Sequence, residues 1–112
     1  MNRSFIEIPS FRTEWKNMGL TDNDLLRLQQ TLLADPKIGK VMSGTGGARK
    51  MRFAFENRGK SGSVPIIYVD FEVYEKIYLL TAYAKSEKEN LTKEERETLH
   101  TIIDIFSIEL KG

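Results

Sequence analysis

Residues 49–55 read Arg-Lys-Met-Arg-Phe-Ala-Phe, and this alternation constrains the fold more than any other stretch. Successive side chains of an extended chain point to opposite faces, so Met51, Phe53 and Phe55 share one face and Lys50, Arg52 and Ala54 the other. The strand therefore buries an aromatic face and shows cations on its opposite face. Its burial needs a sheet and a covering layer.

The rest of the sequence supplies both. Residues 5–8 form a short strand candidate stopped by Pro9, with another around Val41. Residues 64–71 and 77–84 read as strands, and residues 72–76 have the length of a hairpin loop. In the last strand, simple alternation puts Ile77, Leu79, Thr81 and Tyr83 on one face and Tyr78, Leu80, Ala82 and Ala84 on the other.

Three helices surround these strands. Ser10 is the expected cap of the first, with Phe11, Trp15 and Met18 on one side and Gly19 ending it. Thr21 and Asp24 form a capping box before Leu25, Leu28 and Leu32, and Asp35-Pro36 stops that helix. These two helices are expected to pair as a hairpin on one side of the sheet. Thr92 and Glu95 cap the last helix, whose stripe is Leu99, Ile102, Ile103, Phe106 and Leu110. Ile105 and Ile108 widen the stripe towards a partner. The fold class is α+β: an antiparallel sheet of about four strands, an N-terminal helix hairpin and a C-terminal helix, as a single domain over residues 1–112.

Composition bounds the function. An apolar fraction of 40% and a charged fraction of 29% are those of an ordinary soluble domain. The absence of cysteine excludes disulfides, thiolate metal sites and a thiol nucleophile. Apolar runs fall well short of the roughly 20 residues that span a bilayer, and the first residues lack the apolar core of a signal peptide. No membrane partner and a cytoplasmic location are expected.

Charge is uneven. Residues 49–60 hold five cations (Arg49, Lys50, Arg52, Arg58, Lys60) against Glu56, a net of +4, while the whole chain carries +1. Residues 86–112 hold four cations and seven acids, a net of −3. The cations of the middle, with Tyr83, Lys85 and Lys88 at the end of a neighbouring strand, supply phosphate neutralisation, stacking and hydrogen-bond donors of the kind an RNA site uses.

Other chemistries fit less well. Gly59-Lys60-Ser61 lacks the glycine a phosphate loop needs five positions earlier, where Ala54 stands, and a strand follows instead of a helix. The 44–47 run, Gly-Thr-Gly-Gly, lacks dinucleotide-binding spacing. His100 is the only histidine and reads as a solvated or partner-facing helical residue, which argues against catalysis by it and against a histidine-ligated metal. No cofactor is expected.

Gly-Thr-Gly-Gly-Ala-Arg-Lys-Met-Arg at 44–52, Gly59-Lys60, Ile66-Ile67-Tyr68, Ile77-Tyr78-Leu79-Leu80, Tyr-Ala-Lys-Ser-Glu-Lys at 83–88 and Leu91-Thr92 together resemble the HigB-type branch of the RelE/ParE toxin superfamily. The resemblance spans essentially the whole chain. It implies a type II toxin–antitoxin toxin that cuts mRNA on the ribosome without a metal, inhibiting translation. The 2′-hydroxyl would attack the adjacent phosphate and leave a 2′,3′-cyclic phosphate and a 5′-hydroxyl. It implies catalytic roles for Lys50, Arg52, Tyr83 and Lys85, Tyr83 stacking on or orienting the RNA, and phosphate binding by Arg49, Arg58, Lys60 and Lys88. Its implied partners are the ribosome, mRNA and a helix-turn-helix antitoxin, with operator DNA bound only through the antitoxin complex. The pattern departs at Ser61 and Pro65, which stand where relatives carry arginines. That departure leaves a weakened nuclease, one using Arg58 or Lys60 instead, or a degenerate homologue that binds antitoxin or ribosome without cleaving. A ParE-like gyrase inhibitor is the remaining alternative on this fold.

Overall fold

The structure is a computed structural model and describes residues 2–54, 63–84 and 87–112. In chain order the elements are β1 (Ser4–Glu7), α1 (Pro9–Asn17), α2 (Asp22–Ala34), β2 (Lys40–Val41), β3 (Arg49–Ala54), β4 (Ser63–Phe71), a 3-10 turn (Glu72–Tyr74), β5 (Lys76–Ala82) and α3 (Lys93–Lys111). Phe55, Arg58, Lys60, Ser61 and Lys85 lie outside the described residues.

The local signals for α2 and α3 act as expected. The Thr21 hydroxyl accepts from the Asp24 amide, and the Asp24 carboxylate accepts from the Thr21 amide. Thr92 and Glu95 repeat the arrangement on α3. The start of α1 differs. Pro9 occupies the first turn, Ile8 stands at the cap position, and Ser10 Oγ donates to the Leu80 carbonyl at 2.6 Å. Ser10 fastens the helix to β5 instead of capping it. Proline explains the change: its φ suits a first helical position, so the helix starts at Pro9 and Ser10 falls inside the first turn, past the cap position.

The sheet runs β1-β5-β4-β3-β2. It is mixed and five-stranded, which corrects the expected antiparallel sheet of about four strands. β1 lies parallel to β5, from Ser4 opposite Lys76 to Glu7 opposite Leu79. β5 has one side taken by β4, so the N-terminal strand closes its other side.

Each face of the sheet is covered. On one, Phe11 and Trp15 of α1 and Leu28 and Leu32 of α2 pack with Met51, Phe53, Ile66, Tyr68, Ile77 and Leu79. Phe11 and Trp15 stack at 5.2 Å, and Trp15 tilts against Phe53 at 6.3 Å. α1 lies close over β5, whereas close backbone approach between α1 and α2 is sparse. The two helices thus share a core more than they form the expected hairpin pair. On the other face, Leu99 and Ile103 of α3 cover Ile67, Val69, Tyr78, Leu80 and Tyr83. Among the described residues, no helix is long and apolar enough to cross a membrane.

A β-bulge decides which side Tyr83 joins. Tyr68 pairs with Leu79 and Ile67 with Thr81, so Leu80 is an extra residue on β5. An extra residue reverses the alternation beyond it. Ile77, Leu79 and Ala82 share the α1–α2 core, while Tyr78, Leu80 and Tyr83 share the α3 core. The expected grouping of Tyr83 with Ile77 and Leu79 is thereby corrected.

Candidate nucleic-acid interface

The α3 side of β3 carries the cations. Lys50 pairs with Ile67 and Arg52 with Pro65, and Ile67 belongs to the α3 core. α3 covers β4 and β5, leaving Lys50 and Arg52 beyond its cover. β2 extends the same surface, because Lys40 stands directly across from Lys50. Lys40, Lys50 and Arg52, with Ile38, Val41 and Met42, line a shallow groove of about 430 Å³. Sequence reasoning missed Lys40. The strand around Val41 is legible, but the register that sets Lys40 against Lys50 is not.

Tyr83 reaches this group because of the bulge. Lys50 Nζ lies 5.8 Å from its ring centroid and Lys88 Nζ 5.4 Å, both within the range of cation–π attraction. Its hydroxyl donates to the Glu89 carbonyl at 3.3 Å. Tyr83 as a whole is only 4% exposed, so it has little surface to offer a base. In this conformation it acts as a buried post between two lysines.

Those lysines are partly engaged. Lys50 Nζ makes long contacts to the Glu89 carbonyl at 3.5 Å and Asn90 Oδ1 at 3.4 Å. Lys88 forms an ion pair with Glu95, the capping-box carboxylate of α3. Lys88 first, and the Thr92 amide second, hold the Glu95 carboxyl below its ordinary range. Arg52 is exposed.

Arg49 falls on the opposite face, in register with Tyr68. Its Nη1 donates to the Gly39 carbonyl at 2.7 Å. The buried Tyr68 hydroxyl accepts from the Gly39 amide at 2.9 Å and donates to the Pro36 carbonyl at 2.8 Å. Burial pushes its phenol up in pKa, so it stays a neutral donor. Arg49 and Tyr68 thus secure the turn that presents Lys40. The structure brings Lys50, Arg52, Tyr83 and Lys88 to one side and sets Arg49 apart from them. Lys85, Arg58 and Lys60 lie outside the described residues.

Pro65 sits in the middle of the site. It is fully buried, opposite Arg52 on β3, and its carbonyl accepts from the Tyr83 amide at 3.3 Å. A strand residue's N–H and C=O point the same way. The proline nitrogen therefore faces the residues just past β5, where pairing is ending, and the missing donor interrupts no continuous ladder.

The Gly-Thr-Gly-Gly run is a structural turn. Buried Thr45 donates to the Met42 carbonyl at 2.7 Å and accepts from the Ala48 amide at 3.0 Å. A Cβ on Gly46, which has φ +74, would come within 2.6 Å of His100 Cδ2. His100 is thus a packing partner of this turn and is not among the residues that line the groove of Lys50. Among the described residues, no group of three or more His, Asp or Glu side chains could hold a metal.

No family model matches the chain. Among solved structures it is similar to the Escherichia coli toxin RelE, in a double arginine-to-alanine mutant in the free state, with a TM-score of 0.54. The match covers 80% of this chain and 90% of that one at 13% sequence identity. At that identity the likeness is one of fold, and the chain has a RelE-like α+β fold.

Proposed function

We propose that this chain is a type II toxin–antitoxin toxin of the HigB kind that binds ribosome-associated mRNA and cuts it. The observation that carries the reading is the convergence of Lys50 and Lys88 on Tyr83, beside Lys40 and Arg52, on a RelE-like sheet. Sequence resemblance supports it along the same motifs.

In this reading, the RNA backbone lies along the β2–β3 groove. Lys40, Lys50 and Arg52 neutralise phosphate charge, and fixed cations stabilise the extra charge that develops when the 2′-hydroxyl attacks phosphorus. As the P–O2′ bond forms, the 2′-hydroxyl gives up its proton to water. The P–O5′ bond breaks, and the departing oxygen takes a proton from Lys50 of the cluster or from Lys85, to which the resemblance gives a catalytic role. The products are a 2′,3′-cyclic phosphate and a 5′-hydroxyl. Tyr83 orients the lysines and does not stack on a base. A helix-turn-helix antitoxin neutralises the toxin, and operator DNA is bound through that complex.

One observation favours a second reading, in which the chain binds without cutting. Pro65 places a buried apolar ring between Arg52 and Tyr83, where the resemblance implies an arginine. Expression of the chain with mapping of mRNA 5′ ends separates the two. Growth arrest with cuts in ribosome-bound mRNA, lost in the Arg52→Ala/Lys85→Ala variant, supports the nuclease. Ribosome binding without cuts supports the second reading, and a DNA-damage response without cuts overturns both in favour of gyrase.

A further inference from the structure

A trough of about 470 Å³ lies between α1 and α3 above the end of β5. Its floor is apolar, with Ile8, Leu80 and Leu99 among the residues facing it. The bulge deepens this character by placing Leu80 and Thr81 consecutively on the same side. Along one wall α1 presents Ser10 and Glu14, and along the other α3 presents Glu94, Thr98 and Ile102. Both sets follow a four-residue helical spacing, so two helix ridges flank an apolar floor. That is the geometry into which a third helix packs. Glu94 to Ile102 span roughly 12 Å of α3, and Leu91, just ahead of the helix, lengthens the wall to about three helical turns in all.

The rim is acidic. Glu14, Glu87 and Glu94 take part in no ion pair among the described residues. The rim's Lys88 is already taken by Glu95. An apolar floor alone would accept many occupants, but three unspent carboxylates around it favour cations at the edges of whatever docks.

We propose that this trough docks an amphipathic helix of another polypeptide, about three turns long, whose apolar stripe is flanked by lysine or arginine. Tyr83 and Lys88 line the trough and also belong to the basic groove, so occupancy bears on both sites. A cation of the docked helix that reaches Glu95 releases Lys88. This inference does not rest on the RNA reading, since none of its contacts requires a nucleic acid.

The test is to pan a displayed library of helical 14-residue peptides on the intact protein, counter-selecting with Thr98→Arg. Thr98 is exposed on α3, and arginine there fills the trough and repels a basic helix without disturbing either core. The expected outcome is enrichment of peptides with apolar residues at i, i+3 or i+4, and i+7 and a net positive charge. The best peptide should lose at least tenfold in affinity for Thr98→Arg and for Glu14→Lys, and should bind Arg52→Ala as it binds the unaltered chain. Enrichment of acidic or aperiodic peptides, equal binding to Thr98→Arg, or no enrichment overturns the proposal. Self-association abolished by Thr98→Arg assigns the trough to a second copy and overturns it as well. RNA binding measured on Thr98→Arg fails only if the function proposed above is wrong or the variant unfolds, which circular dichroism distinguishes.

Discussion

Lys40 and Lys50 stand directly opposite one another across the β2–β3 pair. Like charges so placed destabilise a sheet by a few tenths to about 1 kcal/mol. Neither lysine forms an ion pair with a carboxylate among the described residues. A local rule broken with no carboxylate to neutralise either charge points to use of the charge. Lys40→Thr is expected to raise unfolding stability by up to about 1 kcal/mol at low salt while weakening single-stranded RNA binding about three- to tenfold. Urea denaturation and fluorescence anisotropy measure the two effects. A variant that gains no stability and binds as before removes Lys40 from the interface.

Glu95 serves two masters, the Thr92 amide and the Lys88 ammonium. Both lower its pKa from 4.5, Lys88 more strongly. A carboxyl depressed in the folded state contributes stability that is present above its unfolded pKa and is lost as pH falls through the folded value. Glu95→Gln keeps an acceptor for Thr92 and drops the ion pair. Both side chains of the pair are more than a third exposed, so the cost at neutral pH should stay under about 1 kcal/mol. The variant's stability should vary less with acid below about pH 4.5. Freed of its counter-ion, Lys88 should raise RNA affinity about two- to fivefold and steepen the salt dependence by about 0.7 in log–log slope. An unchanged slope would show that Lys88 touches no phosphate.

The features legible in the sequence are those written within a few residues. The capping boxes need residues three apart, and the Met51–Phe53 face needs only alternation. The features that were not legible depend on partners distant in the chain. Ser10 carries a good cap signal, but Leu80's carbonyl, reached only in the folded chain, takes its hydroxyl. β1 reads as a strand, yet nothing in it specifies parallel pairing with β5. The bulge at Leu80 is invisible to a two-residue period and decides on which face Tyr83 meets Lys50. The composition of the basic site was therefore legible, while its assembly was set by register.

Tyr68 supports the site from the opposite face. Its hydroxyl bridges the Gly39 amide and the Pro36 carbonyl, both of buried residues. Tyr68→Phe orphans both groups and should cost about 1–3 kcal/mol. Gly39→Ala should destabilise by a similar amount, because its Cβ would meet Tyr68 Cε1 at 2.8 Å and the Lys50 carbonyl at 3.0 Å. Since the same turn carries Lys40, both variants should also bind RNA more weakly, although Tyr68 and Gly39 touch none. Chemical denaturation and RNA titration on each variant check this, and full RNA affinity in Tyr68→Phe would separate the turn from the groove.

Pro65 is where fold and function conflict most directly. The Tyr83 amide donates to the Pro65 carbonyl, so residues 65 and 83 form a hydrogen-bonded pair that is only half made. Pro65→Arg would return the missing N–H, and it would place a guanidinium between Arg52 and Tyr83. Against this, a buried apolar ring is lost and a charge must emerge from a covered position, at a net cost of about 1–3 kcal/mol. If the resemblance assigns that position its proper role, one more donor at the scissile phosphate should raise cleavage of ribosome-bound mRNA about a hundredfold. Pro65→Ala isolates the backbone effect, for it restores the N–H without the charge, and it should leave cleavage near its starting level. Equal activation by alanine would move the effect to the strand. No activation by arginine in a variant that still folds would show that proline is not what limits this site.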